Sequence, residues 1–199
     1  MQLFQKELRL KNRRKVMKMK SLKETQLSTT EYYRNSFLSV CEDEVQLPDQ
    51  NQSKRVVVNH PGGVNIIALD EQKRLLLVEQ YRYPLGRVTL ETPAGKIEPG
   101  EKTTLTAMRE LEEETGYRAS SLTFVSKIST TPGFCDEWIE TYFAHELIKL
   151  ENAAAGDEDE FINVYHLTKE EAAKAIETQQ ICDYKTIYAI QYLTLHQLW

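Results

Sequence analysis

Residues 91–117 read ETPAGKIEPGEKTTLTAMRELEEETGY, a glycine-bearing turn that leads directly into an acid-dense segment. From Thr103 to Thr115 there is neither Gly nor Pro, so the stretch can run as one helix, and Gly116 then supplies its C-terminal cap. Leu105, Met108 and Leu111 recur every three residues and are expected on the buried face. Glu110, Glu113 and Glu114 stand at i, i+3 and i+4, which gathers three carboxylates on another face. Like charges at those spacings cost an isolated helix roughly a few tenths of a kcal/mol per pair, with no gain unless a cation sits among them. Magnesium suits such a place, because it takes oxygen ligands and completes its shell with water and phosphate oxygens. Gly95 and Gly100 let the preceding turn approach a ligand closely, and the Ala94 carbonyl offers one more neutral oxygen. A solvated acidic face is the commoner fate of a Glu-rich helix, so spacing alone leaves that alternative open.

Outward from this segment, strand patterns fall at 63–69 and 74–79, joined by the polar Asp70-Glu71-Gln72-Lys73 and read together as a hairpin. Short apolar stretches at Phe37-Leu38-Ser39-Val40 and Arg55-Val56-Val57-Val58, parted by Pro48-Asp49-Gln50-Asn51, suggest an earlier hairpin within 32–60. Further strands are expected at 122–129, 139–147 and 161–166, with helical spacing at 168–177 and 184–198. The class is therefore α/β, with mixed sheets sandwiched by helices. The chain divides into a basic arm over 1–30, an N-terminal β segment over 31–60 and the main domain over 61–199.

Bulk properties narrow the function classes. Hydrophobic residues make up 41% and charged residues 28%, and no apolar run approaches the length of a membrane helix, so no membrane partner is expected. The net charge of -5 conceals an asymmetry. Residues 1–20 carry eight Lys or Arg against Glu7 alone, which leaves about -12 for the rest. An acidic body makes a poor nucleic-acid surface but suits a protein that meets an anionic ligand through a divalent cation. The basic leader lacks a continuous apolar core and reads as a solvated arm rather than a targeting or membrane-surface helix. Cys41, Cys135 and Cys182 are widely spaced, form no CxxC pair and read as reduced thiols of a cytoplasmic protein.

The quoted segment resembles the Nudix box at every position: Gly95, Glu101, Arg109-Glu110-Leu111, Glu113-Glu114 and Gly116-Tyr117, the tyrosine being its one liberty. With usage near ~6% per residue type, seven near-fixed positions coincide by chance about once in 10⁸ registers. The resemblance implies a Nudix fold, a mixed-sheet α/β/α sandwich with a small N-terminal β-hairpin segment. It also implies magnesium, with manganese able to substitute, held by Glu110 and Glu114 with help from Glu113 and Ala94. Arg109 would join the catalytic set by orienting these carboxylates, as its i, i+4 relation to Glu113 permits.

Flanking residues resemble the ADP-ribose pyrophosphatase branch over roughly residues 53–195. Pro132 lies fifteen residues beyond Tyr117, and Val78 to Pro84, Leu90 to Gly95, Asp157 to Glu160 and Asp183 to Thr186 follow in order. The resemblance implies hydrolysis of ADP-ribose, or a related nucleoside diphosphate sugar, to AMP and a sugar phosphate. Arg82 would grip the diphosphate and Glu91 would contact the terminal ribose or its neighbourhood. Glu158 would serve as the general base and Glu160 would complete the metal shell. The N-terminal hairpin resembles a segment exchanged between subunits, which implies a homodimer with Arg55 reaching the partner's substrate. Two departures stand out: Val56 occupies a place where Glu is common, and no motif fixes the base-stacking aromatic among Tyr32, Tyr33 and Phe37. Alternatives are a non-catalytic nucleotide sensor and a hydrolase of GDP-sugars or nucleoside triphosphates.

Overall fold

The computed structural model describes residues 21–151 and 161–199, so the expectations for the first twenty residues, Glu158 and Glu160 lie outside the described residues. The chain opens with three antiparallel strands, β1 (Thr25–Arg34), β2 (Ser39–Gln46) and β3 (Gln52–Asn59), in the order β1-β2-β3. A second sheet takes the order β10-β5-β6, from β5 (Leu75–Arg82), β6 (Arg87–Glu91) and β10 (Asn163–Leu167). The third, β7-β4-β9-β8, combines β4 (Gly63–Ala68), β7 (Ala94–Lys96), β8 (Tyr117–Ser129) and β9 (Trp138–Lys149). It is mixed, because β4 and β9 run parallel while its other pairs are antiparallel.

Helices flank these sheets on both sides. Val64, Ile66 and Ala68 of β4 and Leu76 of β5 pack against Ala107 and Leu111 of α1 (Thr103–Thr115). Ile67, Leu75 and Leu77 face the other way, onto α2 (Lys169–Glu177) and α3 (Tyr184–Leu195) through Ala172, Ala189 and Leu193. Period-two alternation thus gives each central strand one residue set per helical layer. Thr168 starts α2 with a reciprocal capping box to Glu171, and Asp183 starts α3 by accepting from the Thr186 amide at 3.2 Å. Among the described residues no helix is long and apolar enough to cross a membrane.

Two expectations need correction. The suggested hairpin over 63–79 does not form: β4 and β5 share only an isolated bridge, Leu69 to Leu75, and then enter different sheets. Both carry apolar residues on both faces, so each must be covered by a layer on either side, which an isolated two-stranded hairpin does not provide. Strand β1 runs across residue 30; its ten residues are all exposed, and among the described residues it pairs with β2 alone. With no apolar alternation, TQLSTTEYYR gives no strand signal. On α1, Leu105 is 58% exposed, and burial centres on Ala107 and Leu111. Three-residue steps drift about 60° each on a helix, which carries Leu105 well round from Leu111.

Candidate active site

The site begins where β7 meets α1. Antiparallel pairing sets Gly95 opposite Val64 and Ala94 opposite Asn65, and the Ile66 amide donates to Pro93 O at 2.8 Å. This presses the turn onto the carboxylate face of the helix. The Ala94 amide donates to Glu114 Oε2 at 3.0 Å, and Glu114 is 7% exposed beneath it. A Cβ on Gly95 would lie 1.9 Å from Glu110 Cδ, so only glycine leaves that carboxylate its place. Gly116 closes the helix in the left-handed conformation at φ 73°, its amide donating to Glu112 O.

Arg109 explains how three carboxylates tolerate one another. Its guanidinium lies 2.9 Å from Glu110 Oε1, 2.9 Å from Glu113 Oε2 and 3.3 Å from Glu101 Oε2. Burial alone would favour losing the Arg109 proton, but these carboxylates hold the charge firmly and raise its pKa. The carboxyl of Glu101, opposed by burial, is lowered by Arg109 and by the Thr106 hydroxyl, which donates to it at 2.9 Å. Arg109 therefore lies among the carboxylates of Glu101, Glu110 and Glu113.

The cleft is also lined by two cations, Arg82 and Lys185. Arg82 binds Glu91 through Nε and Nη2, both at 2.8 Å, and Lys185 also donates to Glu91 as well as to Asp183 at 3.0 Å. Burial raises the Glu91 pKa, but Arg82, Lys185 and the Thr89 hydroxyl outweigh it and bring the carboxyl down to about 2. Arg82 itself is held charged by Glu91, with its pKa raised. Glu91 is only 2% exposed and lies behind the cleft lining, held by Arg82 and Lys185, which both line it. Its two oxygens are taken by protein donors.

Sequence spacing could not show the remaining wall, because parallel pairing of β9 with β4 builds it. The turn containing Pro132 is fixed to β3, with Val58 N donating to Phe134 O at 2.7 Å and Asp136 N to Val58 O at 3.1 Å. It delivers Glu137, whose Oε1 lies 3.2 Å from His60 Nδ1 and whose Oε2 accepts from Thr130 Oγ1 at 2.6 Å. Phe37 stands edge-on to His60 at 5.8 Å between centroids, and Lys96 Nζ sits 4.6 Å from the Phe37 ring. Of the three candidate stacking aromatics only Phe37 lines the cleft; Tyr32 and Tyr33 are exposed on β1. Arg55 also lies outside it, paired with Glu24 at 2.7 Å.

These walls enclose a cleft of about 440 Å³, and past Phe37, His60 and Lys96 it adjoins a groove of about 590 Å³. Ala94, Glu110, Glu113 and Glu114 line it together with Arg82 and Lys185, and Glu114 is near enough to Arg82 to help hold its charge. The donor chemistry fits a hard divalent cation: several carboxylates share one wall, and the backbone at Gly95 is bare against Glu110. As they stand, no three His, Cys, Asp or Glu among the described residues converge on one point as metal ligands. Lys185, His60, Lys96 and Glu137 are site residues that spacing alone did not reveal; Lys185 lay within the Asp183 to Thr186 stretch, without a role.

The NUDIX domain model matches residues 59–188. The chain belongs to the NUDIX family. It is 43% identical over 90% of its length to an ADP-ribose pyrophosphatase of Bacillus subtilis (strain 168), 97% of which is covered. It is equally 43% identical, over 89% of its length and 96% of the relative, to a methanol dehydrogenase activator of Bacillus methanolicus. A crystal structure of an ADP compounds hydrolase superposes with a TM-score of 0.76 at 22% identity, covering 89% of this chain and 98% of that one, and shows the shared NUDIX fold.

Proposed function

We propose that this NUDIX protein hydrolyses the diphosphate bond of ADP-ribose, or a closely related nucleoside diphosphate sugar, to AMP and a sugar phosphate. The observation that carries the reading is that one cleft gathers both signs of charge, Glu110, Glu113 and Glu114 together with Arg82 and Lys185. A diphosphate can meet both groups if a divalent cation sits on the carboxylates. The B. subtilis relative's name, ADP-ribose pyrophosphatase, supports the substrate.

Mg²⁺, with Mn²⁺ able to replace it, would be held by Glu110, Glu113, Glu114 and the Ala94 carbonyl together with Glu160; when bound it neutralises phosphate oxygens and acidifies a water. The chain's own residues do the rest. Arg109 keeps the carboxylates apart and aimed, and Arg82 donates to the diphosphate. Glu158 takes the proton of the attacking water as a phosphorus–oxygen bond of the anhydride breaks. Phe37 offers the face for the base. The protein works in the cytoplasm as a homodimer, in which Arg55 of β3 serves the partner's site. Divalent-metal-dependent release of AMP from ADP-ribose, lost in Glu114→Gln, is the test.

A second reading has its own support, because a relative of equal identity is named for activating a dehydrogenase. On that reading the chain regulates a partner enzyme through the nucleotide it binds. Stimulation of a methanol dehydrogenase by the purified protein, with no AMP released from any nucleoside diphosphate sugar, would favour it.

A further inference from the structure

We infer that Glu91 is a positioning residue whose one carboxylate sets the spacing of Arg82 and Lys185, so that these two cations meet the diphosphate as a preset pair. The inference rests on reading this cleft as a diphosphate site. Glu91 cannot serve by touching the ligand. It is 2% exposed, Oε1 accepts from Arg82 Nε at 2.8 Å and Thr89 Oγ1 at 2.6 Å, and Oε2 accepts from Arg82 Nη2 at 2.8 Å and from Lys185. Arg82 spends Nε and Nη2 on this contact, and among the described residues nothing accepts from Nη1. That edge of the guanidinium remains for a phosphate oxygen.

Stability alone is a weak reason for such a cluster, since apolar groups of similar size often serve a protein interior as well as buried ion pairs do. Position is the better reason. Two cations converging without a carboxylate between them repel, and Lys185 has Asp183 to fall back on at 3.0 Å. The neighbouring residues are fixed too: Thr92 N donates to Thr186 Oγ1 at 2.8 Å, and Thr92 Oγ1 donates to Asn65 Oδ1 at 2.5 Å. This buried tie locks the end of β6 to the start of α3, so Glu91 and Lys185 approach each other from a rigid frame. A preset pair binds diphosphate without first having to be ordered.

The test compares wild type, Glu91→Gln and Thr89→Val, the last removing only the hydroxyl that steadies Oε1. KM and kcat are measured on ADP-ribose, and binding of inorganic pyrophosphate is measured by calorimetry. Glu91→Gln should raise KM and the pyrophosphate Kd about tenfold or more, with kcat falling less than KM rises, while Thr89→Val raises both about two- to threefold. In a Lys185→Met background, Glu91→Gln should add less than it does alone, as expected for a residue acting through Lys185. Pyrophosphate bound as tightly as, or more tightly than, in wild type by Glu91→Gln overturns the inference, because a carboxylate that merely cancels positive charge would give that result. If Glu91→Gln does not fold, Thr89→Val with unchanged pyrophosphate binding overturns it instead. Wild type that binds pyrophosphate but leaves ADP-ribose intact removes the substrate reading, while the pyrophosphate comparison still decides the role of Glu91.

Discussion

Replacing Gly95 with alanine places a methyl carbon 1.9 Å from Glu110 Cδ, 2.0 Å from Oε1 and 2.4 Å from Cγ. Ordinary contact begins near 3.4 Å, so the Glu110 carboxylate must withdraw by about 1.5 Å. The atoms it meets are the flexible end of a side chain, so the fold survives. The cost in stability is the Arg109–Glu110 pair at 2.9 Å, worth under ~1 kcal/mol for partly exposed partners, offset by the reduced freedom of an alanine in the unfolded chain. The melting temperature should therefore move by no more than about 3 °C. Activity should fall far more, because a misplacement of ~1 Å at a reacting centre can cost about 100-fold. The assay is kcat/KM for AMP release beside thermal unfolding of the same preparation. A Gly95→Ala protein that melts normally and turns over within about threefold of wild type would refute the reasoning that Glu110 acts from this position.

The Glu91 carboxyl, near 2 when folded against an ordinary 4.5, contributes about 3 kcal/mol that is fully present above pH 4.5 and lost as the pH falls toward 2. Urea unfolding should show the gap between wild type and Glu91→Gln closing over that window, and a gap independent of pH would count against it. Thr92→Val strands Asn65 Oδ1 inside the fold while the residue 92 amide still donates to Thr186 Oγ1, and should cost about 1–3 kcal/mol by the same measurement. Light scattering at micromolar concentration should give twice the chain mass, whereas a monomer would remove the role proposed for Arg55 in a partner's site.

How much of this was legible in the sequence depended on range. Helix α1 and its Gly116 cap follow from thirteen residues without Gly or Pro, and the Arg109–Glu113 contact follows from i, i+4 spacing. Strand β7 is three residues long and exists because β4 lies beside it, so no local period announces it. Strands β4 and β5 were legible as strands but not as members of different sheets, since two-sided burial shows that a strand lies mid-sheet and not which neighbours it takes. His60, Glu137 and Lys185 meet only through the parallel β4–β9 pairing and the packing of α3, contacts that span the chain. Glu91 was found by resemblance, but its pairing with Arg82 and Lys185 was not legible, because burial and its two cations are properties of the folded protein.

The most direct test of the account is AMP release from ADP-ribose with Mg²⁺ present, set beside GDP-mannose, a nucleoside triphosphate, an EDTA-treated sample and Glu114→Gln. The account predicts that ADP-ribose is the preferred substrate and that turnover is lost both on chelation and in the variant. Turnover that persists in EDTA and in Glu114→Gln, or nucleotide binding with no product from any of these substrates, would contradict it.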